Sequence, residues 1–245
     1  MSPPAPAVPG APGERLAAIR RRIAAACDRS GRDPATVTLV GASKTQPAAT
    51  VASFVAAGLA VLGENRVQEA QAKRRELAEM QRLPPGGWHL IGPLQTNKAR
   101  LALELFACVH SLDRPAIAAA LDREAAKRGA MLDAFIEVNL GDEPSKHGFP
   151  PTGLAAAVAP LAALGNLRIG GLMAIPPFAA ATDREASRRW FRRLRELRDD
   201  LGARREWAGW PGWLSMGMSD DFEVAIEEGA THVRIGTALF GPRQA

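Results

Sequence analysis

Short apolar runs alternate with amphipathic stretches along almost the whole chain. Thr36–Gly41 (TVTLVG) reads as a buried strand. Similar runs follow at Leu59–Gly63, Trp88–Gly92, Ala107–Ser111, Phe135–Leu140, Leu167–Ala174, Trp213–Met216 and His232–Gly236. Each is short, rich in branched residues and bounded by turn formers, as strands buried on both faces are. The intervening stretches carry helical signals. Pro47 opens a helix that Gly58 closes, and Arg66–Leu83 places Glu69 and Lys73 at i,i+4. Pro115–Arg128, Thr152–Leu164, Asp183–Leu201 and Asp221–Glu228 each end at a glycine. Ahead of the first strand, Glu14–Cys27 carries one apolar stripe of Leu16, Ile19, Ile23 and Cys27.

Eight strands separated by helices, at about 30 residues per unit, predict an α/β fold with a parallel sheet. The repeat fits a single (β/α)8 TIM barrel. A doubly wound open sheet is the alternative, but no G-x-G-x-x-G follows the first strand. Residues 1–12, rich in Pro and Ala, read as a disordered N-terminal arm, and 13–245 as the barrel. The chain ends shortly after its eighth strand, so the first helix is expected to fill the last place in the outer ring.

Composition narrows the classes. The chain has 245 residues, 47% hydrophobic and 23% charged, with a net charge of +5. That is ordinary globular composition. The basic residues are mostly arginines spread over predicted helix faces, which reads as a solvated surface rather than a nucleic-acid interface. Cys27 and Cys108 form no C-x-x-C, so a reducing, cytoplasmic setting is expected. The start lacks a secretory signal, and the apolar run Leu154–Leu164 is short and broken by Pro160, so no membrane association is expected. The four histidines, at 89, 110, 147 and 232, show no zinc spacing, and no metal is expected.

In such barrels chemistry gathers at the C-terminal strand ends. Lys44 stands at the first of them, one of only five lysines. By period two it shares a strand face with Thr38, Val40 and Ala42. An apolar mouth would lower its pKa and make it an imine-forming amine. A lysine snorkelling to solvent is an equal reading. Ser215-Met216-Gly217-Met218-Ser219 and Gly236-Thr237 offer hydroxyls and glycines where barrels often bind phosphate, though plain turn chemistry would use the same residues. Asp220 and Glu223 have capping-box spacing. Arg234, between Val233 and Ile235, is expected to point into the barrel, where it needs a carboxylate or a ligand. Lysine, phosphate cradle and inward arginine together match pyridoxal phosphate. His89 reads as a hydrogen-bonded core residue.

These segments resemble the pyridoxal phosphate homeostasis protein family: VGASKTQP (40–47), LGENRVQEA (62–70), WHLIGPLQTNK (88–98), FIEVNL (135–140), GLMAI (171–175) and LSMGMSDDFEVAIEEGATHVRIGTALFG (214–241). The resemblance implies a barrel like the N-terminal domain of alanine racemase, with pyridoxal phosphate as an imine on Lys44. It also implies phosphate contacts from Ser215, Gly236 and Thr237, Arg234 at the ring nitrogen, and Asn65 beside the ring. The family implies a carrier and buffer of the cofactor in vitamin B6 and amino-acid balance, with apoenzymes as acceptors. A monomer is expected. The chain has no tyrosine, the base that alanine racemase-like enzymes bring from a second domain. The alternative is a racemase-like enzyme acting on amino acids, in which Glu137 or His89 would have to be the base. A Schiff-base aldolase without the cofactor is a third reading.

Overall fold

In the computed structural model, which describes residues 10–144, 146–177 and 184–241, eight parallel strands close into a barrel in chain order. The strands are β1 (Thr38–Ala42), β2 (Val61–Glu64), β3 (Trp88–Leu90), β4 (Cys108–Leu112), β5 (Leu132–Glu137), β6 (Leu167–Met173), β7 (Trp213–Ser215) and β8 (His232–Ile235). Closure is made by β1 and β8, where Val40 pairs with Arg234 and Gly41 with Ile235. The helices are α1 (Pro12–Arg29), α2 (Ala48–Ala56), α3 (Val67–Glu79), α4 (Ala99–Leu105), α5 (Pro115–Ala126), α6 (Leu154–Val158), α7 (Arg184–Gly202), α8 (Phe222–Glu227) and α9 (Thr237–Phe240). Positions 1–9 of the expected arm lie outside the described residues. Among the described residues no helix is long and apolar enough to cross a membrane.

The outer ring is completed by α1, which packs on α8, α9 and α2. Its stripe of Leu16, Ile19, Ile23 and Cys27 is buried, each large side chain contributing about 1.5–3 kcal/mol. Arg22 adds a two-point pair with Glu223 at 2.8 and 2.9 Å and stacks 4.5 Å over Phe222. The expected helix at Thr152–Leu164 is shorter. α6 yields to a 3-10 turn at Ala159–Ala163, because Pro160 has no amide to continue an α-helix.

The main apolar core lies between strands and helices. The barrel interior is packed differently. Val40, Val61 and Ile91 form a small cluster near β1–β3, and Cys108, Phe135 and Met173 another across it. Other inner positions are polar: His89, His110, Ser215 and Arg234 are buried and His232 is partly buried.

Candidate functional site

Lys44 sits in the turn that follows β1, half-buried. Val40 and Ala42 share the inner face, as the period-two pattern predicts. The turn is held on both sides. Glu64, at the end of β2 and fully buried, forms an ion pair with Lys73 of α3 and accepts the Ser43 hydroxyl at 2.8 Å. Lys73 Nζ also donates to the Ser43 carbonyl at 2.6 Å. The Thr45 amide donates to Glu69 at 2.5 Å, and Thr45 takes a left-handed φ of 62°. A non-glycine residue there stores strain that surrounding bonds must offset. The Glu69/Lys73 spacing foretold a helix-surface pair, and the two do approach at 3.4 Å. Lys73 nevertheless spends its charge on the floor of the Lys44 turn.

Arg234 points inward as expected and is 4% exposed. Nη1 donates to the Ser215 carbonyl at 2.7 Å and to Ser215 Oγ at 2.6 Å, and Nη2 to the Ala174 carbonyl at 3.0 Å. Among the described residues no carboxylate forms an ion pair with it. Burial lowers its pKa to about 10, with Glu137 and Asp221 opposing through space, so it stays charged at neutral pH. Ser215 Oγ also lies 2.7 Å from His110 Nδ1, and His110 Nε2 lies 2.9 Å from His89 Nδ1. Arginine can only donate. Ser215 Oγ therefore accepts from Arg234, and the direction of its bond to His110 Nδ1 is set by the imidazole tautomer. The same tautomer sets the sense of the His110 Nε2–His89 Nδ1 bond. The Ser215 hydroxyl is thus turned into the barrel, and His89 is the hydrogen-bonded core residue the sequence predicts.

The loops after β7 and β8 are tied together. Gly217 has φ 92°, and a Cβ there would stand 2.6 Å from the Ala225 Cβ. Only glycine fits. Its carbonyl accepts the Arg234 amide at 3.0 Å. Ser219 Oγ accepts the Ala238 amide at 3.1 Å, drawing the Gly236-Thr237 turn onto the β7 loop, with the Thr237 side chain exposed. The spacing of Asp220 and Glu223 does not yield a capping box. Asp221 is the N-cap, its carboxylate folds back to the Met218 amide at 2.7 Å, and Glu223 is taken by Arg22.

The sequence-predicted residues therefore gather on one arc, β7–β8–β1–β2. Arg234 touches Ser215, a Cβ on Gly236 would stand 3.4 Å from the Ala42 carbonyl oxygen, and the Ser43 amide bonds Gly63 beside the Asn65 loop. Asn65 also lines a mouth cavity of about 210 Å³ with Gly92, Glu137, Asn139, Lys146 and His147. Gly92 permits this, since a Cβ would come within 2.5 Å of the Asn65 carbonyl oxygen. Glu137, at the end of β5, has its pKa raised to about 7, first by burial and then by Asp113, with Arg234 opposing. His89 is not among the residues lining the cavity.

Residues 15–244 match the family described as alanine racemase, N-terminal domain. The chain is 46% identical to the pyridoxal phosphate homeostasis protein of Aquifex aeolicus, over 94% of this chain and 98% of that one. It is 48% identical to the protein of that name from Pseudomonas aeruginosa, over 94% and 95%. PipY of Synechococcus elongatus PCC7942, solved with PLP bound, superposes with a TM-score of 0.80 at 38% identity, covering 94% of this chain and all of that one. Identity at this level over nearly the full length makes this chain a member of the pyridoxal phosphate homeostasis protein family.

Proposed function

We propose that the chain binds pyridoxal phosphate at Lys44 and serves as a carrier and buffer of it, not as a catalyst. One observation carries the reading. The turn presenting Lys44, the Asn65 loop and the Gly236-Thr237 turn stand side by side on neighbouring strands, with a charged guanidinium inside the same arc. The donor set fits the group: a primary amine for its aldehyde, hydroxyls and backbone amides for its phosphate, and Arg234 for its ring nitrogen. PipY, with the cofactor bound, supports the assignment. Asn65 would lie beside the ring and Gly236 and Thr237 at the phosphate, while the Ser215 hydroxyl, expected there from the sequence, is taken by Arg234 and His110 and would act on the cofactor only through Arg234. When bound, the cofactor supplies an aldehyde that condenses reversibly with primary amines. A permanent donor such as Arg234 opposes a proton on the ring nitrogen, which weakens carbanion chemistry.

Acceptors would be apoenzymes that use the same cofactor, and we place the protein in the cytoplasm as a monomer. The test is mixing. Loaded protein should restore activity to an apoenzyme while showing no racemisation, decarboxylation or transamination over a panel of amino acids. A racemase-like reading has one observation in its favour, a carboxyl titrating near neutrality at the mouth, Glu137. Turnover that follows cofactor occupancy and is lost in Glu137→Gln would establish that reading and overturn the carrier.

A further inference from the structure

The interior of a barrel of this kind is ordinarily filled by branched apolar side chains. Here the inner positions of β3 and β4 carry His89, Cys108 and His110. His89 and Cys108 are register partners on adjacent strands, and His110 follows Cys108 by two, on the same inner face. All three are buried. One ring nitrogen of each histidine and the Cys108 Sγ lie within 4.8 Å of one another. We propose that His89, Cys108 and His110 form a metal site inside the barrel, separate from Lys44, for a borderline d-block cation such as Zn²⁺.

The chemistry of the set selects the ion. Two imidazoles and a thiolate suit zinc and its neighbours in the first transition row, and they exclude the oxygen-seeking Mg²⁺ and Ca²⁺. Burial holds His89 near pKa 4 and His110 well below its ordinary value, so both rings are neutral with a lone pair available. Burial also pushes the Cys108 thiol well up, with Asp133 adding to it. The thiol therefore keeps its proton until a cation displaces it, and one proton leaves per ion bound.

The two imidazoles are nearly in place. His89 Nδ1 and His110 Nε2 already face each other at 2.9 Å. Zinc–nitrogen bonds of about 2.0–2.1 Å at a tetrahedral angle need roughly 3.3 Å between the nitrogens, an opening of about 0.4 Å. The outer support is present too. His110 Nδ1 lies 2.7 Å from Ser215 Oγ, which fixes the ring plane as outer partners of ligating histidines do. With the ion on Nε2, Nδ1 must carry the ring proton and donate to Ser215. The His232 ring flanks the pair, 5.7 Å from His110 and 6.1 Å from His89 between centroids, with its Nδ1 2.9 Å from Thr231 Oγ1. Thr38, Asp133, Trp213 and His232, at the N-terminal strand ends, are only partly buried, so solvent reaches that end of the barrel. Spacing along the sequence shows only the Cys108-x-His110 pair of β4, because His89 comes from β3.

The experiment uses the untagged full chain stripped with a chelator and titrated with Co²⁺, then with Zn²⁺ in competition. One Co²⁺ per chain should bind, with a thiolate-to-cobalt charge-transfer band, intense visible bands of a tetrahedral ion, and about one proton released. Cys108→Ala should abolish the charge-transfer band, and His89→Gln or His110→Gln should weaken binding at least tenfold. Cys27→Ser, altering the other cysteine, should change nothing. Circular dichroism and melting confirm that each variant is folded, and each of the three ligand changes tests the site alone. The absence of a cobalt–thiolate band, or a band that survives Cys108→Ala and disappears with Cys27→Ser, overturns the proposal.

Discussion

Lys73→Met leaves Glu64 buried at the end of β2 with its cation gone. Glu64 is fully buried, its second oxygen has no partner, and burial already raises its pKa against the opposing pull of Lys73 and Ser43. Breaking a buried pair by removing one member costs about 3–5 kcal/mol. The carboxylate can escape by taking a proton. That route costs at most the distance from its ordinary pKa of about 4.3 to pH 7, at 1.36 kcal/mol per unit, or about 3.7 kcal/mol. The loss at pH 7 is therefore about 3–4 kcal/mol, a fall of about 7–14 °C in Tm for a chain of this size. The proton is bound more tightly in the folded variant than in its unfolded chain. The penalty thus grows as pH rises and shrinks to about 1 kcal/mol near pH 5. The same change removes a charged donor from the Ser43 carbonyl, so cofactor affinity should fall about tenfold. Denaturant unfolding at pH 5 and 7, with the double variant Glu64→Gln/Lys73→Met alongside, measures each part. The double variant should recover at least half of the loss. A loss under about 1 kcal/mol at pH 7, or an equal loss at both pH values, would refute the clamp.

Gly217→Ala places a Cβ 2.6 Å from Ala225 at φ 92°, whereas Gly153→Ala, at φ 74°, meets nothing within 4 Å. The first should cost roughly 1–3 kcal/mol more than the second by denaturant unfolding, and it alone should weaken cofactor binding. Glu137 holds its proton in the folded chain up to about pH 7. Its contribution to stability should therefore fall as pH rises from about 4.5 through 7, against the opposite contribution of the buried neutral histidines, and Glu137→Gln should remove that falling part, so that stability rises more steeply with pH in the variant than in the native chain. Arg22→Ala removes a half-exposed pair with Glu223 and a stack on Phe222. It should cost about 1–2 kcal/mol, and the part due to the pair should shrink in high salt.

The barrel is legible in the sequence because each strand is a short apolar run between helix signals, and the closing α1 shows as a striped helix ahead of β1. The limits of elements are less legible. β5 begins at Leu132, before the Phe135–Leu140 run that marks it, because polar Asp133 interrupts the apolar pattern while pairing with Arg168 at 2.6 Å. α4 carries no cap or turn residue, and its seven residues give too little periodicity to mark it. In the site, Lys44 and Arg234 are legible from their neighbours on one strand. The Lys73–Glu64–Ser43 clamp and the Arg234–Ser215–His110–His89 chain are not. Each is made across strands, and His110 and Ser215 are 105 positions apart. No spacing along the chain reports such contacts. The same cause hid the His89, Cys108 and His110 cluster from a search for metal-ligand spacing.

The central claim is that Lys44, alone among five lysines, receives the cofactor. The direct measurement is reduction of pyridoxal phosphate-loaded protein with borohydride, followed by mapping of the modified peptide. The account predicts one adduct per chain on Lys44, absent in Lys44→Ala although that variant melts as a folded barrel. An adduct on Lys98 or Lys146 in the native protein, or one that persists unchanged in Lys44→Ala, would contradict it.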